Sequence, residues 1–84
     1  MKKISANLIP DLTGTDFKYI ACDFDDEDYW HMFTSKPKLD KDDEWLPKFT
    51  ESDLPEWRDV SWIDGLPDVL KGLKAKDTLF EIEY

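Results

Sequence analysis

Between two aromatic-rich runs, Phe17 to Phe24 and Tyr29 to Thr34, the chain carries only Asp25, Asp26, Glu27 and Asp28. Both runs favour strands. The first is largely apolar on both alternating faces, as expected of a central strand covered on two sides, and the second is rich in aromatic and β-favouring residues. The segment reads as a β-hairpin with an acidic four-residue loop, although it lacks the Asn-Gly or Asp-Gly pair typical of tight hairpins.

The C-terminal residues Thr78 to Tyr84 alternate, with Thr78, Phe80, Ile82 and Tyr84 on one side and Leu79, Glu81 and Glu83 on the other. That pattern predicts a strand with one wet face. Ahead of it, Leu66, Val69, Leu70 and Leu73 follow the i, i+3, i+4, i+7 spacing of one helical face. Pro67 falls in the first turn and lysines cluster near the end, so a helix is expected over about 65–75. Gly72 weakens it by about 1 kcal/mol relative to Ala. An edge strand is expected within Ile4 to Leu12, ended by Pro10 and a turn at Gly14.

The middle, Ser35 to Ile63, contains Pro37, Pro47 and Pro55 and no long periodic run, yet it holds Trp45, Phe49, Trp57 and Trp62. Asp53-Leu54-Pro55-Glu56 has the form of a helix start, with a short turn through Trp57. The expected fold is α+β: one domain over residues 1–84, with a three- to four-stranded, mainly antiparallel sheet. It has one C-terminal helix and a long irregular middle segment.

Charge narrows the function. Asp and Glu number 20 against 11 Lys and Arg, a net charge of -9 over 84 residues, and much of the excess lies in Asp23–Asp28 and Asp40–Glu44. Such a surface repels nucleic acid and anionic membrane and attracts basic protein surfaces. An aromatic share of 14% argues against an acidic disordered chain. No apolar run approaches the about 20 residues needed to span a bilayer, and no signal-peptide pattern is visible, so a cytoplasmic location is expected. Cys22 alone can form neither an internal disulfide nor a multi-thiolate zinc site.

Neither acidic run fits a calcium loop. Its sixth position should be Gly and its twelfth Glu, but counting from Asp23 these are Asp28 and Thr34, and from Asp40 the sixth is Trp45. No nucleophile context and no phosphate loop is present, and His31 on an aromatic strand reads as a structural histidine. The expectation is a protein without enzymatic activity, metal or cofactor.

The carboxylates interleave with large aromatics, which is the composition of an interface with anchors and a charged surround. The partner-binding candidates are Asp23, Asp25, Asp26, Glu27, Asp28, Asp42, Asp43, Glu44, Trp45, Glu56, Trp57 and Asp59. Trp45 and Trp57 are the anchors. The partner would be a basic protein, such as a toxin, a nuclease or a host defence protein, whose phosphate-binding surface this chain occludes. In size and charge the chain looks like immunity proteins of bacteriocin and contact-dependent toxin systems. That resemblance is one of composition only and carries over no residues. The first expectation is therefore an immunity protein against a nuclease-type toxin. A phage-encoded DNA mimic directed at a restriction or CRISPR system is the alternative. A homo-oligomeric assembly or adaptor subunit, pairing through the strand that ends at Tyr84, is a second alternative. The inhibitor readings imply a monomer or weak homodimer with no direct binding to nucleic acid or membrane.

Overall fold

The computed structural model describes residues 1–10, 12, 16–26, 28–47, 57–62 and 65–84. Among these the strands are β1 (Lys3–Ser5), β2 (Tyr19–Cys22), β3 (Trp30–Phe33), β4 (Lys38–Leu39), β5 (Trp45–Leu46), β6 (Trp57–Asp59) and β7 (Phe80–Glu83). Five form one sheet in the order β1-β7-β2-β3-β6, and β4 pairs with β5 separately. The pairing is antiparallel except for β1 beside β7.

The acidic hairpin is present. β2 and β3 pair from Tyr19 opposite Phe33 to Cys22 opposite Trp30. β2 lies inside the sheet, and its alternation serves two apolar layers. Ile20 and Cys22 join Trp30, Met32, Phe80, Ile82, Ile4 and Leu70 on one face. Ala21 faces the other way and packs with Phe33 and Trp45, flanked by Tyr19, Leu39 and Leu79. The first layer is the larger, as the apolar side of β7 demands.

The C-terminal helix expected over 65–75 is absent, and the fold is built on strands with isolated 3-10 turns. Two such turns occupy Asp68–Leu70 and Ala75–Asp77. Only a short stretch separates Pro67, at the entry, from Gly72. Lys71 already leaves helical space at ψ 144, and Gly72 reverses the chain at φ 72. One turn fixes its dihedrals for few hydrogen bonds, so a helix this short does not propagate. Leu70 is still buried, while Val69 is exposed. The apolar spacing was satisfied by a turn and an extended segment folded under the sheet.

The expected strand count was too low for the same kind of reason. β4, β5 and β6 are two or three residues long and lie in the segment read as irregular. Pieces that short show no periodicity. Trp57 opens β6 instead of continuing a helical turn, and the proposed helix start at 53–56 lies outside the described residues, as does Gly14. The predicted N-terminal edge strand is present as β1, but it ends at Ser5 and a 3-10 turn, Ala6–Leu8, follows. β7 is not an edge, since β1 and β2 flank it.

Candidate partner-binding surface

The two acidic runs meet at one end of the molecule. The Phe24 N–H donates to the Asp43 carbonyl at 2.8 Å, which joins the β2–β3 loop to the β4–β5 loop. Several carboxylates in these loops are structural. Asp23 Oδ1 accepts from the Trp45 N–H at 2.9 Å, Asp25 Oδ1 from the Ala75 N–H, and Asp26 Oδ1 from the Asp28 N–H at 3.0 Å. Asp40 Oδ1 accepts from both Asp42 at 2.8 Å and Glu44 at 3.0 Å. Short Asp side chains stabilise reversals in this way by supplying acceptors to backbone donors the turn leaves unpaired.

Asp28, Asp42 and Asp43 are exposed, and their carboxylates make no hydrogen bond or ion pair among the described residues. They form the outward charge. Glu27 and Glu56 lie outside the described residues. Asp59 is exposed on β6, where Asp59 Oδ1 accepts from His31 Nε2 at 2.8 Å.

The expected anchors separate. Trp57 is 45% exposed and stands over His31 edge to face, ring centroids 5.3 Å apart. Trp45 is buried in the second core layer, and its Nε1–H donates to the Ala75 carbonyl at 3.0 Å. It is a core residue of the second layer and not an exposed anchor. The aromatics that do face solvent beside the carboxylates are Phe24 and Tyr29, each about half exposed and edge to face at 6.0 Å. Phe24 sits at φ 59 and Asp25 at φ 57. That left-handed region is uncommon for a bulky aromatic and strained. Their interleaving with Asp was visible in the sequence, but Trp drew the anchor assignment because size was read without burial.

His31, read from the sequence as a structural histidine, stands beside these carboxylates. On β3 it faces the second core layer, paired across the sheet with Ala21 on one side and Asp59 on the other. Its Nδ1 is buried, has no hydrogen-bond partner among the described residues, and lies 3.6 Å from Asp23 Oδ2. Burial, reinforced by the carboxylates of Asp40 and Asp59, raises the Asp23 pKa above its ordinary range despite the opposing Trp45 N–H and His31. Asp23, His31, Glu44, Trp57 and the rings of Phe33 and Trp45 line a recess of about 120 Å³. Cross-strand register explains it: Phe33 opposes Trp57 and His31 opposes Asp59, so alternate residues of two short strands share one face.

Among the described residues no group of His, Cys, Asp and Glu is arranged to hold a metal ion, and no helix is long and apolar enough to cross a membrane. No protein-family model, curated protein or solved structure matches the chain.

Proposed function

We propose that this chain is a small acidic inhibitor that binds and occludes a basic surface of a protein partner, first of all as an immunity protein against a nuclease-type toxin acting in the cytoplasm. The observation that carries the reading is the joining of the two acidic loops by the Phe24 to Asp43 hydrogen bond, with the exposed Phe24–Tyr29 pair beside them. Charge without anchors gives solubility; charge around half-exposed aromatics gives a surface that steers a basic partner and then holds it. The protein acts by binding and needs no catalytic group of its own.

The DNA-mimic reading invokes the same physics with a host defence protein as target. The assembly reading loses its original argument, because the strand ending at Tyr84 is paired on both sides.

Capture from a lysate of the encoding organism at moderate salt tests the proposal, with an Asp28→Lys/Asp42→Lys variant as control. Neither side chain has a structural bond among the described residues, so the variant should fold normally. Retention of one stoichiometric basic protein that the variant loses supports occlusion, and a nuclease assay on that protein separates immunity from mimicry. Equal retention by both forms, or recovery of this chain alone, would count against it.

A further inference from the structure

The recess beside Trp57 is lined by two carboxylates, Asp23 and Glu44, and by no lysine or arginine among the described residues. His31 stands between Asp23 and Asp59, with Nδ1 3.6 Å from Asp23 Oδ2 and Nε2 2.8 Å from Asp59 Oδ1. The Asp23 side chain is only 8% exposed, and its other oxygen is taken by the Trp45 N–H. A carboxylate held this far from water carries a desolvation cost that a cation entering the recess would offset.

We propose that the recess is a receptor for a guanidinium group, supplied by an arginine side chain of the basic partner. Asp23 and Glu44 provide the counter-charge and Trp57 the flanking aromatic surface. The recess, about 120 Å³, is large enough to admit a planar guanidinium. A planar fork with five donors suits several acceptors spread around an aromatic-walled slot, whereas an ammonium is compact and keeps its water more tightly.

The source of the guanidinium rests on the inhibitor reading, but the receptor can be tested without a partner. The ¹⁵N resonances of the His31 ring and the Trp57 indole would be followed during titration with ethylguanidinium or with ethylammonium. Saturable shifts at both sites are expected, with half-saturation at about 1–10 mM for ethylguanidinium and at least about tenfold weaker binding of ethylammonium. Glu44→Gln should weaken the response, Asp23→Asn should abolish it, and Glu83→Gln, exposed on β7 outside the recess, should leave it unchanged. If Asp23→Asn fails to fold, Glu44→Gln still decides. No shift, equal shifts with both cations, or an undiminished response in Glu44→Gln would overturn the proposal. Failure here would leave partner capture unaffected, and failed capture would leave this titration unaffected.

Discussion

The two tryptophans read as equivalent anchors should respond oppositely to truncation. Trp45→Ala removes a buried ring and its bond to the Ala75 carbonyl, so thermal or urea unfolding should show a loss of about 3–5 kcal/mol. Trp57→Ala removes a half-exposed ring and should cost about 1 kcal/mol or less. If Trp45→Ala left stability unchanged, the second core layer would be misassigned. Phe24 gives a sharper contrast because its φ of 59 costs the fold energy. Phe24→Gly should leave the free protein as stable or up to about 1 kcal/mol more stable, while partner dissociation accelerates by roughly 30-fold, about 2 kcal/mol. A destabilised variant with unchanged dissociation would make Phe24 a fold residue. Asp23 adds a pH signature. Its raised pKa means that the folded state holds this proton to higher pH than the unfolded state. Its contribution to stability is therefore largest below its ordinary value of 3.8 and is lost as pH rises through the folded value. Asp23→Asn keeps an acceptor for Trp45 and should flatten that decline in urea unfolding followed upward from pH 3.8. An identical slope in both forms would contradict the assignment.

At the level of elements, the hairpin was legible because its two runs are long and apolar and only carboxylates separate them. The helix was misread because four leucine and valine positions match a helical face equally well when they belong to one 3-10 turn and an extended segment. Gly72 at φ 72 and Pro67 decided between them. β4 to β6 are too short to show a period, so the face that collects His31, Trp57 and Asp59 could not be drawn from sequence. Nor could spacing tell structural carboxylates from outward ones, since Asp25 and Asp28 differ only in what the fold brings to them. Asp25→Ala removes the acceptor for the Ala75 N–H and should cost about 1.5–3 kcal/mol. Asp28→Ala should cost almost nothing. Equal stabilities for the two variants in urea unfolding would remove the distinction between internal and outward charge.

For the molecule as a whole, a net charge of -9 is partly spent inside its own loops, and the remainder gathers where those loops touch. Charges at one end, beside an exposed aromatic pair, orient an approaching basic protein before any contact is made. The most direct test is the association rate with the captured partner as a function of ionic strength, comparing the wild type with Asp28→Lys/Asp42→Lys. The account predicts fast association at low salt that falls steeply as salt rises, with the variant slower and its salt dependence flattened. Superimposable curves for the two proteins would show that the joined acidic loops do not face the partner, and the central claim would fall.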